Sequence, residues 1–211
     1  YHTVSIKTNG TLWSWGNGGS GQLGLNNTTY YSSPKQVGAL TTWSSVACGG
    51  YYTVAIKTDG TLWSWGDNGG GALGLGTFSS YSSPKQVGAL TTWSSVSCGE
   101  KFTVSIKTNG TLWSWGRNNY GQLGLGNTTS YSSPKQVGAL MTWSSVSCGY
   151  AHTVSIKTDG TLWSWGYNGT GPLGLGNITN YSSPKQVGAL TTWSSISCGN
   201  ANTVSIKTDG T

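Results

Sequence analysis

Ile56-Lys57-Thr58-Asp59-Gly60-Thr61-Leu62-Trp63-Ser64-Trp65-Gly66 is the stretch whose reading decides the fold. It recurs, nearly letter for letter, from Ile6, Ile106 and Ile156, and its opening returns at Ile206. Trp13, Trp63, Trp113 and Trp163 therefore stand 50 residues apart. A fixed period of this size marks a repeat architecture, in which each unit buries its apolar surface against the next. Within the stretch, Asp59-Gly60 separates two alternating runs. Val54 and Ile56 share a face of the incoming run, which predicts a half-buried strand. Trp63 and Trp65 share a face of the return. Asp-Gly, or Asn-Gly at Asn9 and Asn109, between such runs is a strong hairpin signal and predicts a type I′ turn with positive φ at both central residues.

Outward from the hairpin, the unit resolves into four short strands. Ser44 to Cys48 is a run of small residues suited to a crowded inner strand. Thr53 to Lys57 and Thr61 to Trp65 are the hairpin. Gly66 to Gly76 is a glycine-rich loop with Leu73 and Leu75 as anchors. Ser83 to Val87 forms the last strand, and Pro84, which has no N–H to donate, places it at a sheet edge. The expected architecture is all-β: a β-propeller of four-stranded antiparallel blades, one repeat domain over residues 1–211 with about four blades. Repeat boundaries fall near residues 43, 93, 143 and 193. The tryptophans are expected to fill the space between blades, where large aromatics bury the most area.

Composition narrows the function classes. The 12 Trp and 11 Tyr recur at fixed phases, which excludes a disordered chain. No apolar run is long enough to span a bilayer. The net charge of +6 raises nucleic acid as a partner. Nine lysines, however, occupy two repeat phases, Lys7, Lys57, Lys107, Lys157 and Lys207, and Lys35, Lys85, Lys135 and Lys185. Charge spread evenly round the object argues for solvated strand faces and against nucleic-acid binding. Cys48, Cys98, Cys148 and Cys198 are four copies of one position and read as buried free thiols. No spacing of His, Cys, Asp or Glu suits a metal, so neither a metal nor a cofactor is expected. The reading favours an extracellular or cell-surface location.

His152-Thr153-Val154-Ser155-Ile156-Lys157-Thr158-Asp159-Gly160-Thr161-Leu162-Trp163-Ser164-Trp165-Gly166, followed by Leu173-Gly174-Leu175-Gly176, Pro184 and Val187, resembles the repeat of the regulator of chromosome condensation family. The resemblance covers the whole chain. It implies a propeller, usually of seven blades. Members include an exchange factor for a guanine-nucleotide-binding protein and secreted inhibitors of beta-lactamases; what they share is protein binding through a propeller face. The family-type histidine is present as His2 and His152 but replaced by Tyr52, Phe102 and Asn202. Seven blades would need about three further repeats. The chain is therefore expected to belong to a longer array or to be completed by another copy of itself.

Because the repeats are nearly identical, their differences stand out. They cluster after Cys-Gly (Gly50-Tyr51-Tyr52, Glu100-Lys101-Phe102, Tyr150-Ala151-His152, Asn200-Ala201-Asn202), after Trp-Gly, and near Asn26, Gly76, Gly126 and Gly176. In an up-and-down blade all three clusters lie at one end of the strands. The Asp-Gly hairpins and Gly-Ala-Leu-Thr connections at the other end hardly change. Loops held by a rigid scaffold are where binding usually resides. The candidate ligand-binding residues are Tyr51, Tyr52, Asp67, Asn68, Glu100, Lys101, Phe102, Arg117, Asn119, Tyr120, Tyr150, His152 and Tyr167. Tyr and Arg anchors among small polar residues suit adaptable recognition.

Catalysis finds no support. Asp59, Asp159 and Asp209 are turn residues, leaving Asp67 and Glu100 as the free acids. Gly169-Thr170-Gly171-Pro172-Leu173-Gly174 matches a dinucleotide fingerprint by letter but lacks the strand-turn-helix context. The sequence reads as a non-enzymatic module binding a protein or surface ligand. A self-assembling ring, fibre or coat component is the first alternative, and a sugar-binding lectin the second.

Overall fold

The computed structural model describes residues 1–211 as seventeen strands without a helix. β1 (His2–Ile6), β2 (Leu12–Gly16) and β3 (Tyr31–Gln36) form a three-stranded sheet. β4 (Trp43–Cys48), β5 (Tyr52–Lys57), β6 (Leu62–Gly66) and β7 (Tyr81–Gln86) form the first four-stranded blade. The next comprises β8 (Trp93–Cys98), β9 (Phe102–Lys107), β10 (Leu112–Gly116) and β11 (Tyr131–Gln136). The third comprises β12 (Trp143–Cys148), β13 (His152–Lys157), β14 (Leu162–Gly166) and β15 (Tyr181–Gln186). β16 (Trp193–Cys198) and β17 (Thr203–Lys207) pair as a final two-stranded sheet. Every pairing is antiparallel between sequence neighbours, so each blade is a meander. The proline-bearing strands β7, β11 and β15 lie at the outer edges, as Pro84, Pro134 and Pro184 require.

The hairpin departs from expectation. Gly60 has φ of +76°, whereas Asp59 is not among the positive-φ residues. Gly60 N–H donates to Lys57 O at 2.9 Å and Lys57 N–H to Thr61 O at 3.0 Å. This is a type I turn closed by a left-handed glycine, and not type I′. Asp59 is kept for another reason: its Oδ1 accepts from Thr61 N at 2.9 Å and Thr61 Oγ1 at 2.6 Å. Thr61 Oγ1 in turn accepts from Trp63 Nε1 at 2.9 Å. Asparagine performs the same task at Asn109.

Strand burial also departs from simple alternation. β9 and β13 are buried at every residue, because a blade packs on each of their faces. β1 and β17, covered on fewer sides, retain the alternating pattern. The blades are joined by tryptophan. Trp115 of one blade enters the cluster of Tyr52, Val54, Leu73 and Trp93 in the preceding interface. Its Nε1 donates to Ala72 O at 2.8 Å, and Thr103 Oγ1 donates to the same carbonyl at 2.8 Å. Trp165 and Thr153 repeat this staple on Gln122 O. The tryptophans of the Trp63 phase differ. They are half-buried and lie under Lys57, Lys107 and Lys157. The cysteines are free but not uniformly buried: Cys148 is buried, Cys98 and Cys198 are half-buried, and Cys48 is exposed.

His152 is inter-blade structure. Its ring is 1% exposed, and Nε2 lies 3.2 Å from Thr203 Oγ1. Burial lowers its pKa from 6.5 to about 4. The folded state thus holds it neutral while the unfolded chain takes up a proton below pH 6.5. Stability is full above that pH and falls as pH drops toward 4, by up to about 1.4 kcal/mol per pH unit. His2 follows the same logic on Thr53. Urea midpoints of wild type and His152→Asn at neutral and mildly acidic pH check this. The variant, which installs the residue found at Asn202, is expected to lose part of the acid slope; equal slopes would contradict it.

Candidate functional site

The variable loops lie at one end of the blades because the sheets are meanders. Their geometry starts from a tight turn after each inner strand. Gly49 N–H donates to Tyr52 O at 2.9 Å, and Gly99 N–H to Phe102 O at 2.8 Å. A Cβ at Gly49 or Gly99 would enter the ring of Tyr52 or Phe102, so glycine is required there. The residue after each glycine then joins a ladder between blades. Gly50 N–H donates to Glu100 O at 3.1 Å, Glu100 N–H to Tyr150 O at 3.3 Å, and Tyr150 N–H to Asn200 O at 3.0 Å. This ladder curves along a cavity of about 370 Å³ lined by the Cys-Gly segments of all four repeats.

The second variable loop is tied to the first. Asp67 N–H donates to Tyr51 O at 2.8 Å, Arg117 N–H to Lys101 O at 2.8 Å, and Tyr167 N–H to Ala151 O at 2.9 Å. Across blades, Lys101 Nζ pairs with Asp67 Oδ2 at 3.9 Å, both partly exposed. Surface pairs of this kind position side chains more than they stabilise. The Glu100 carboxylate beside Tyr150 holds its phenol above the usual value. Tyr120 and Tyr167 meet edge to face with centroids 5.2 Å apart. Tyr1, not anticipated from the sequence, stacks on Tyr51 at 4.8 Å.

The structure thus brings Tyr51, Asp67, Glu100, Lys101, Arg117, Tyr120, Tyr150 and Tyr167 into one strip across three blades. Asn119 is exposed beside it. Four expected residues do not belong to it. Tyr52, Phe102 and His152 are 1%, 0% and 1% exposed and lie between blades. Their side chains head strands whose two faces are both covered; Tyr52 Oη donates to the Phe102 carbonyl. Asn68 is also fully buried and organises its own loop, donating to Thr77 O at 2.8 Å and accepting from Leu73 N at 3.0 Å. Position within a variable cluster misled here. For Tyr52, Phe102 and His152 the distinguishing signal is their phase, immediately ahead of the Thr-Val strand. No three His, Cys, Asp or Glu side chains converge on a metal-ion site.

The model of the RCC1-like domain matches residues 1–210. The chain belongs to this family. The RCC1-like domain is similar to the crystal structure of human WBSCR16 at a TM-score of 0.87 and 24% identity, covering 98% of this chain and 55% of that one. It is similar to Prp20p from Saccharomyces cerevisiae at a TM-score of 0.85 and 24% identity, covering 97% and 53% of the two chains. The ectodomain of the Arabidopsis thaliana receptor kinase ACR4 gives a TM-score of 0.51 at 17% identity, over 99% and 56%. No curated protein matches the sequence. The chain spans about half the length of the solved structures it matches, and the likeness shows the propeller fold.

Proposed function

We propose that this RCC1-like domain is a non-enzymatic recognition module that binds a protein through its variable face. The observation that carries this reading is the contiguous Tyr/Arg/acid strip held on a backbone ladder, opposite an end where the repeats scarcely differ. Tyrosines of few rotatable bonds, such as Tyr120 and Tyr150 at 38% and 47% exposure, supply contact area at low entropic cost. The paired Asp67 and Lys101 and the partly exposed Arg117 supply polar complementarity at the rim. Binding to Gsp1p and histones is described for Prp20p, and Kap60 is bound to yeast RCC1 in another structure, which supports protein as the ligand class.

The test is a displayed random-peptide library panned on this protein. Selected peptides are then measured against Arg117→Ser/Tyr120→Ser/Tyr150→Ser. Affinity is expected to fall by about tenfold or more, since anchor truncations each cost above about 1 kcal/mol. A panel in which no selected peptide loses affinity for the triple variant would sink the reading.

A further inference from the structure

Three similar grooves run between adjacent blades along the rim. One is lined by Val137, Leu140, Trp143, Lys157, Trp163 and Pro184, with a volume of about 410 Å³. Its counterparts around Trp43 and Trp93 measure about 460 and 390 Å³. Val137 and Trp143 are buried at 3% and 4% exposure and form the floor, while Leu140, at 51%, stands at the rim. The half-exposed leucine recurs in every repeat as Leu40, Leu90, Leu140 and Leu190, each 49–51% exposed. Solvent contact alone gives no reason to keep a leucine there.

The groove carries a cation that has no carboxylate paired with it. Lys157 is 8% exposed, and its Nζ lies 3.6 Å from the Trp163 ring centroid and 5.0 Å from that of Trp143. It forms no ion pair: the single one in the molecule joins Lys101 and Asp67. The nearby acid, Asp159, is engaged with Thr161. At Lys107 even that acid is replaced by Asn109. Burial lowers the pKa of Lys107 and Lys157, as expected of ammonium groups short of anionic partners.

Charge is also divided between the two ends. The variable face holds Lys101 and Arg117 against Asp67 and Glu100, and is neutral. The other nine lysines lie at the constant end and rim with three aspartates, so the entire net charge of +6 resides there. The lysines also cap the indole faces of Trp63, Trp113 and Trp163, leaving no open aromatic platform there for a sugar or a base. What fits is an aliphatic or aromatic side chain flanked by carboxylates. We propose that the three grooves are docking sites for acidic, apolar polypeptide segments. A Leu or Phe side chain seats against Leu140 and Pro184 on the groove wall, and flanking carboxylates meet Lys157. The sites are equivalent and rigidly spaced, so a partner that repeats such a segment gains by multivalency.

The experiment is fluorescence anisotropy with the labelled peptide acetyl-Asp-Asp-Leu-Phe-Asp-Asp-amide at low and high salt. Two control peptides carry Asn for Asp, or Gly-Gly for Leu-Phe. Saturable binding is expected, weakened about tenfold or more in each control and reduced by salt. Leu40→Ser/Leu90→Ser/Leu140→Ser removes only half-exposed side chains and is expected to lose about tenfold as well. If that triple variant unfolds, the single variants read the loss one groove at a time. Tyr120→Ser/Tyr150→Ser, on the other face, is expected to bind as the wild type does. Equal binding of the Gly-Gly peptide would reveal simple polyanion attraction and overturn the proposal, as would equal binding by the leucine variants or no binding at all.

Discussion

Trp115→Ala is expected to lower the unfolding free energy by about 3–5 kcal/mol, the range for deleting a fully buried tryptophan. Trp115 is 0% exposed, and its indole meets Trp93 edge to face at 5.8 Å. Two losses add. The first is the transfer free energy of the ring together with the cavity it leaves between blades. The second is the bond from Nε1 to Ala72 O, although that carbonyl keeps its bond from Thr103. Backbone forms part of the wall of that space: Gly74 lies directly on the indole, where a Cβ would stand 2.7 Å from Nε1. Since Trp115 supplies an interface between neighbouring blades, its loss also uncouples them. In a chain of nearest-neighbour units this is expected to split one cooperative transition into two. Chemical denaturation followed by far-ultraviolet circular dichroism checks both points. Trp113→Ala is the comparison. Trp113 is half-buried beneath Lys107, and its removal is expected to cost about half as much. Equal losses for the two would remove the special role of the buried phase.

Gly110→Ala is expected to cost about 3 kcal/mol, more than an alanine in the left-handed region alone explains. Gly110 has φ of +76°, a conformation that costs an L-residue about 1–2 kcal/mol. The remainder arises from packing. An added Cβ would overlap the Met141 carbonyl oxygen, a backbone atom with no rotamer to escape into. Gly110 O also accepts from Trp143 N at 3.1 Å, so moving the hairpin strains the entry to the next blade. Gly138 isolates the two contributions. It has φ of +60°, yet nothing lies within 4 Å of its notional Cβ. Gly138→Ala should therefore pay the conformational cost only. Melting temperatures of the two variants measure the difference; if Gly138→Ala destabilises as much, the close approach at Gly110 contributes nothing.

Much of this molecule was legible because its signals are periodic. The spacing of Trp13, Trp63, Trp113 and Trp163 required equivalent units, and the run from Thr53 to Trp65 required a hairpin in each. Pro84 required an edge. None of these depends on knowing a neighbour. Misreadings arose where a neighbour decides. Asp59-Gly60 suits two turn types, and the side-chain bonds to Thr61 selected the type I form. Tyr52, Phe102 and His152 vary like surface residues, yet each is sealed between blades.

The sequence by itself determined the repeat unit, its strand order and the end of the blade at which variation collects, since period and turn chemistry are local properties. Only the tertiary structure decided which variable side chains share a surface. Stacking the blades turns β5, β9 and β13 into strands covered on both faces, and so removes Tyr52, Phe102 and His152 from solvent. The same stacking brings Lys101 to Asp67 and Tyr120 to Tyr167 across repeat boundaries. It also opens the grooves beside Lys57 and Lys157, whose walls come from adjacent blades and exist in no single repeat.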